Sequence, residues 1–387
     1  MIPRYAPTYT FADLWHALRQ SLRGAVEDDL RYRLARRYGV KHVFLFDNAR
    51  AGLYAVLKAY NRPGGVVLPA YTCIVVPEAV QHAGYTPVFG DIDCGSLSLT
   101  AEELKRCLAP EVTVVLATHV FGIPCDMEAM LQVARQHQVL VVEDAAPALG
   151  AELGGQLVGR FGDAAIVSFQ STKVIAAERG GALLTNDDEL AQHVSCLARE
   201  AVAPDSGWRS FGKAVARKIV MSRQVYPAVQ AGYRLLRHED LYEVVAAQRE
   251  IPPGYVRRCS RFASALVLRQ LDRLEGNLAR RRRLAHLYQE ALSHHPRLKV
   301  PVVVQDCAPA WIQFPILADD KAAFYRHMQQ RQIDLSWTFR YSCAESYGVD
   351  DCPSAHQAAQ TVLGLPTYPA LTDEQADQIC AAASQYA

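Results

Sequence analysis

The sequence predicts an α/β fold: a mainly parallel sheet with helices on both faces, followed by a smaller α/β domain. Three observations predict it. Short apolar runs of strand character alternate with helical patterns through the first half of the chain. The 387 residues, 50% hydrophobic and 21% charged, suffice to bury one large core and a lesser one. Acid, amide and hydroxyl residues stand at the ends of the apolar runs, where open α/β sheets bind their ligands.

In chain order, Val43-Phe44-Leu45-Phe46 reads as a strand and residues 49–60 as a helix. Gly65-Val66-Val67-Leu68 is a strand, 75–83 a helix, Thr86-Pro87-Val88-Phe89 a strand and 101–107 a helix. Val112 to Leu116 is a strand, 127–137 a helix, and Val139-Leu140-Val141-Val142 a strand. Such alternation argues for βα units and a parallel sheet. Ala164-Ala165-Ile166-Val167 and Gly181-Ala182-Leu183-Leu184 add two strands.

Residues 204–250 break the pattern. They are helix-like, basic and interleaved with aromatics: Trp208, Arg209, Phe211, Lys213, Arg217, Lys218, Arg223, Tyr226, Tyr233, Arg234 and Arg237, with Asp205 the one acid before residue 238. Pro252-Pro253-Gly254 closes the stretch and reads as a boundary. The expected division is a large domain over 1–250, carrying this insertion, and a small domain over 251–387. A long helix is expected over about 260–292, with Leu266, Leu268, Leu271, Leu274 and Leu278 near helical spacing, and strands near 298–303 and 311–316. Arg280 to Arg283 read as a solvated helix face.

Composition excludes several classes. A net charge of +1 gives no signal for nucleic acid. No run of 18 apolar residues suits a membrane span, and the first residues lack a signal-peptide core. The ten cysteines form no CxxC pair and the twelve histidines no HExxH pattern. Reduced thiols, a cytoplasmic location and no metal site are the expectations.

The chemistry concentrates at Lys173, in Ser168-Phe169-Gln170-Ser171-Thr172-Lys173, just past an apolar strand. A second strand ends in Glu143-Asp144-Ala145-Ala146. An amine, an acid and a hydroxyl so placed suit pyridoxal phosphate (PLP). The amine forms a Schiff base, the carboxylate keeps the pyridine nitrogen protonated, and the hydroxyl reaches the phosphate. A lysine after a strand is more often merely solvated, and Asp144 and Ser168 also suit a cap and a turn. The order of the neighbouring segments carries the reading further.

That order runs through Asn48 to Gly52, Pro69-Ala70-Tyr71-Thr72, Pro87 to Asp93, Thr118 to Met127, Glu143 to Ala146 and Gly162 to Lys173. It returns at Gln270-Leu271 with Arg280-Arg281-Arg282, and at Leu363-Gly364-Leu365-Pro366 with Leu371-Thr372. Together these resemble the DegT/DnrJ/StrS family of PLP-dependent sugar aminotransferases. The resemblance implies the fold-type-I aminotransferase architecture. It also implies a Schiff-base Lys173, Asp144 on the ring nitrogen, Ser168 on the phosphate, and a phosphate-binding turn at Asn48, Ala49, Arg50 and Ala51. A turn feeding a helix presents free N–H groups and a positive dipole end to an anion. Arg50 is unusual there; it reads either as a phosphate clamp or as a solvated helix residue. His119 reads as a core histidine rather than a base.

Three positions depart from the family pattern. Cys73 stands where an aromatic stacks on the cofactor. Pro147 stands where Gln faces its 3′ oxygen. Gly254-Tyr255-Val256-Arg257-Arg258 lacks the Asn that a neighbouring subunit supplies to the phosphate, so Arg257 or Arg258 is its candidate substitute. The resemblance implies an enzyme, a PLP-dependent transaminase, moving an amino group from an amino acid, glutamate first, to a keto sugar, nucleotide-linked. It implies a homodimer too. The departures keep open another acceptor (a lipid-linked or non-sugar ketone), a dehydratase outcome, or a non-catalytic binding protein. A nicotinamide dehydrogenase is disfavoured, since no GxGxxG follows a strand. The basic stretch reads as a cover over the site, a membrane-surface helix, or dimer packing.

Overall fold

The computed structural model describes residues 1–22, 24–204, 207–236, 247–248 and 250–386. Helices α1 (Phe11–Ser21) and α2 (Val26–Tyr38) lead into β1 (His42–Phe46), α3 (Ala49–Tyr60), β2 (Gly65–Pro69), α4 (Val75–His82), β3 (Thr86–Gly90) and α5 (Ala101–Cys107). Next come β4 (Val112–Thr118), α6 (Met127–His137), β5 (Leu140–Asp144), a small hairpin β6 (Glu152–Leu153) and β7 (Gln156–Leu157), then β8 (Ala164–Ser168) and β9 (Gly181–Thr185). Helices α7 (Asp188–Glu200), α8 (Gly207–Val220), α9 (Tyr226–Leu236), α10 (Arg261–Leu271) and α11 (Leu274–Leu292) follow. The last part holds β10 (Leu298–Lys299), β11 (Cys307–Ala308), β12 (Phe314–Ala318), α12 (Lys321–Gln330), α13 (Cys343–Ser346), α14 (Pro353–Thr361), β13 (Val362–Leu365) and α15 (Asp373–Ser384).

Seven strands form the main sheet in the order β1-β9-β8-β5-β4-β2-β3. The pairs from β8 to β3 are parallel, and β9 runs antiparallel to both its neighbours. The α/β class and mainly parallel sheet are as expected. Side chains alternate between two apolar layers, as a pleated strand buried on both faces requires. Along β4, Val114 and Leu116 join one core while Val115 and Ala117 join the other. Along β8, Ala164 and Ile166 face one way, Ala165 and Val167 the other.

Two expectations are corrected. The long helix over 260–292 is two helices, α10 and α11, broken at Asp272 and Arg273. Arg280 to Arg283 are not a uniformly solvated face. Arg281 is only 2% exposed and donates to the Trp311 carbonyl at 3.0 Å and to Asn277. Arg282 donates to the Pro309, Gly150 and Ala308 carbonyls. These arginines satisfy carbonyls in and beside the loops at Gly150 and 308–312. The basic stretch, for its part, packs on its own chain. Ala214 of α8 is buried, Arg217 pairs with Glu178 at 2.8 Å, and Tyr226 of α9 donates to Asp334. Arg209, Lys213 and Arg223 remain exposed. Asp205 and Arg237 lie outside the described residues, as do the side chains of Tyr233 and Arg234.

Candidate active site

Parallel register sets the floor of the site. Thr118 at the end of β4 lies beside Asp144 at the end of β5, which lies beside Ile166 of β8. All three line a cavity of about 320 Å³, together with Ser168 and Lys173. Ligand-facing residues thus gather at the carboxyl edge of the sheet.

Lys173 stands on a short loop that the chain closes tightly. Phe169 N–H donates to the Gly180 carbonyl at 2.9 Å and Ala177 N–H to the Phe169 carbonyl at 2.7 Å. Residues Val174 to Ala177 are buried. Gln270 grips the loop as a second backbone would, donating to the Ala176 carbonyl at 2.8 Å while accepting its N–H at 3.2 Å. Asn277 donates to the Val174 carbonyl at 2.7 Å. The lysine stem therefore leaves a fixed base. Among the described residues, the Ser168 hydroxyl oxygen accepts only a long 3.4 Å contact from Gln170 N–H.

Asp144 is buried, and one carboxylate oxygen accepts Ala146 N–H at 3.0 Å. Burial pushes its carboxyl above the usual range, opposed by the nearby Lys173 charge and that N–H bond. Burial pushes the Lys173 amine down, opposed by Asp144 and Cys73. Each group thus feels the other across the cavity, the pattern of a site that tunes titration.

At the other end lies the amino terminus of α3. Asn48 is its N-cap, accepting Ala51 N–H at 2.9 Å and donating to Asp47. Asp47 also pairs with Arg179. Asn48, Ala49 and Arg50 line the cavity, and Arg50 Nε is buried with no hydrogen-bond partner. The Arg50 guanidinium lies 5.4 Å from the centroid of the Tyr255 ring. Gly181 makes the close approach possible: a Cβ there would stand 2.5 Å from Ala49 N.

Cys73 lines the cavity, its thiol pushed up by burial and near both Lys173 and the Tyr341 hydroxyl. Pro147 lines it as well. His119 is fully buried and off the cavity lining. Its Nδ1 accepts Cys125 N–H at 3.2 Å, which leaves Nε2–H to donate to Glu143 at 3.2 Å. Glu143 also accepts three backbone N–H groups, from Gly159, Phe161 and Gly162. It fixes the loop under Asp144, and His119 is a core histidine as expected.

The structure therefore brings Asn48, Ala49, Arg50, Cys73, Asp144, Ser168 and Lys173 to one cavity. Ala51 serves through its capped N–H rather than by lining it. Arg257 is outside the cavity of its own chain; its carbonyl accepts Asp47 N–H at 3.0 Å and its guanidinium lies over Gly254. Sequence reasoning missed Arg4 and Tyr5 near the amino terminus, and Gln313, Ser336, Thr338 and Phe339 from the last third. No local pattern marks them; the fold delivers them over several hundred residues. Phe121 and Phe339 both line the cavity with left-handed backbones, φ 57° and 52°, a strain typical of functional walls.

Residues 14–384 match the model of the DegT/DnrJ/EryC1/StrS aminotransferase family. The chain is 30% identical to the spore coat polysaccharide biosynthesis protein SpsC of Bacillus subtilis, over 88% of this chain and 84% of that one. It is 27% identical to the GDP-perosamine synthase of Caulobacter vibrioides, over 90% and 86%. The solved structure of DesI with its TDP-sugar product superimposes with a TM-score of 0.76 at 25% identity, covering 100% of this chain and 93% of that one. The chain belongs to the DegT/DnrJ/EryC1/StrS family and is a PLP-dependent aminotransferase of the sugar-modifying, fold-type-I kind.

Proposed function

We propose that this chain moves an amino group from glutamate to a nucleotide-linked keto sugar, with PLP held in the described cavity. The observation that carries the reading is the pairing of Lys173 with Asp144 in one cavity whose other end is the amino terminus of α3. The residues fit the cofactor: Arg50 Nε and Thr118 Oγ1, both in the lining residues, are buried polar atoms without partners, which a bound polar group would satisfy. Lys173 would hold the cofactor covalently and Asp144 its ring nitrogen. Ser168, Arg50 and the first turn of α3 would hold its phosphate. When bound, the cofactor supplies an electron sink for the carbon that carries the amine.

The protein supplies the rest. Burial lowers the Lys173 pKa, which raises the share of neutral amine able to take a proton from one carbon and return it to another. Ala146 N–H fixes the rotation of Asp144, and the clamped loop fixes the reach of Lys173. The names of the relatives, GDP-perosamine synthase and DesI with a TDP-sugar, support a nucleotide-borne acceptor, and SpsC supports a polysaccharide pathway. A cytoplasmic homodimer is part of the proposal, with Arg257 of each subunit reaching the other's phosphate. No helix among the described residues is long and apolar enough to cross a membrane.

The purified protein should show a visible band that borohydride bleaches and Lys173→Ala removes. Glutamate should bleach the same band, and a nucleotide keto sugar should restore it. A colourless wild-type protein defeats the reading. A second reading rests on Cys73 and Pro147 in the lining: a small thiol in place of a stacking ring leaves room for a lipid-linked or non-sugar ketone. Restoration of the band by such ketones, and not by nucleotide keto sugars, decides for it.

A further inference from the structure

Arg4 is a cation that the chain positions at the cavity with its hydrogen-bond donors unspent. The first residues form a strap. Ile2 pairs with Ile333 in a parallel bridge, its N–H donating to the Gln332 carbonyl at 2.7 Å and its carbonyl accepting Asp334 N–H at 3.0 Å. Tyr5 accepts from Arg217 Nη1 at 3.1 Å, Lys218 donates to the Pro7 carbonyl at 3.1 Å, and Tyr9, fully buried, donates to Glu178 at 2.7 Å. Between these fixed points Arg4 and Tyr5 line the cavity.

The Arg4 guanidinium lies 5.5 Å from the centroid of the Trp337 ring, with Nε 3.8 Å from Asp334. Arg4 gives that carboxylate its counter-charge, while its hydrogen bonds come from elsewhere. Asp334 is fully buried and accepts hydroxyl bonds from Tyr226 and Tyr325 and an amide bond from Gln230. Arg4 itself makes no hydrogen bond among the described residues, so its N–H fork is unspent. The stacking and the ion pair fix its plane while its donors stay free, the preorganised state that a planar, two-pronged anion needs.

Among the described residues, three cationic side chains line the cavity: Lys173, Arg50 and Arg4. On the reading above, the first two serve the cofactor. An amino-acid donor must bring a carboxylate into the same cavity, and taking it out of water without a cation is costly. We infer that Arg4 is the donor-carboxylate binding residue, held in place by α8 and α9 through Tyr5 and Asp334. This rests on the proposed function. It also explains the basic insertion, whose helices brace the strap rather than cover the substrate.

The test titrates the cofactor-loaded protein by calorimetry with glutarate, a dicarboxylate with no amine to transfer, and with uridine 5′-diphosphate. Arg4→Ala should weaken glutarate binding by roughly 30-fold, the worth of a charged hydrogen-bond pair, and raise the glutamate KM alike with little change in kcat. Arg4→Lys should restore part of the loss. Nucleotide affinity should stay within about two-fold, since no phosphate contact is removed. Loss of nucleotide binding with glutarate unchanged overturns the inference and assigns Arg4 to the acceptor. Equal loss of both, or of neither, also overturns it. A wild-type protein that takes up no PLP defeats the functional reading, whereas a loaded Arg4→Ala with an unchanged glutarate constant defeats this inference alone.

Discussion

Glu143 offers the sharpest stability test. Both its oxygens accept: Oε1 takes Phe161 N–H at 2.6 Å and Gly162 N–H at 2.8 Å, and Oε2 takes Gly159 N–H at 2.6 Å and His119 Nε2–H at 3.2 Å. Glu143→Gln keeps the shape but turns one acceptor into a donor. Whichever way the amide sits, two donors lose their acceptor and meet N–H groups instead. Each unsatisfied buried donor costs about 1–3 kcal/mol, so the variant with two should lose about 2–6 kcal/mol in urea unfolding with m unchanged. The His119 tautomer offers no escape, because Cys125 N–H already occupies Nδ1. The next residue is Asp144, so weaker cofactor retention should accompany the loss. A change below about 1 kcal/mol would refute this account of the loop.

Lys321 is buried, donates to the Ala359 carbonyl at 2.7 Å, and has its pKa pushed down to about 7 by burial and then by the Arg340 charge. The native state then binds fewer protons than the unfolded chain between about pH 7 and pH 10, so stability from this group rises with pH there, by about 1.4 kcal/mol per unit. Lys321→Met should be the more stable form at pH 6.5 and lose its advantage by pH 9.5; parallel urea midpoints would rule the idea out. Gly181→Ala forces a Cβ to within 2.5 Å of Ala49 N, and should push the α3 turn outward and abolish PLP retention on a desalting column; retention would show that the turn can give way. Asn48→Ala removes the N-cap and should cost about 1 kcal/mol of stability, read by thermal unfolding of the cofactor-free protein. Arg50→Ala should weaken PLP about ten-fold, the worth of one charge-assisted bond, while leaving pyridoxal without its phosphate unaffected; equal loss of both would place Arg50 elsewhere.

Much of this architecture is written locally. Val-rich runs such as Val112 to Leu116 are strands because they are buried on both faces, and the acid or hydroxyl after each marks the ligand edge. Hence Lys173, Asp144, Ser168 and the Asn48 turn were legible, along with the departures at Cys73 and Pro147. What escaped depends on distance along the chain. Arg281 sits in a run of four arginines that reads as surface, yet Trp311, thirty residues on, buries it. Arg4 and Tyr5 carry no periodicity, and only the bridge to Ile333 places them. The break at Asp272 hides inside continuous leucine spacing, since α10 turns to pack on α1 and α2 while α11 turns to α15.

The strap has a practical corollary for anyone re-engineering this enzyme. Because residues 2–9 are pinned by Arg217, Lys218 and, through Asp334, by Tyr226, the opening segment and helices α8 and α9 form one mechanical module. A trimmed version lacking 207–236 would lose more than a surface flap: the wall carrying Arg4 would come adrift. Chimeras should therefore exchange both pieces as one cassette.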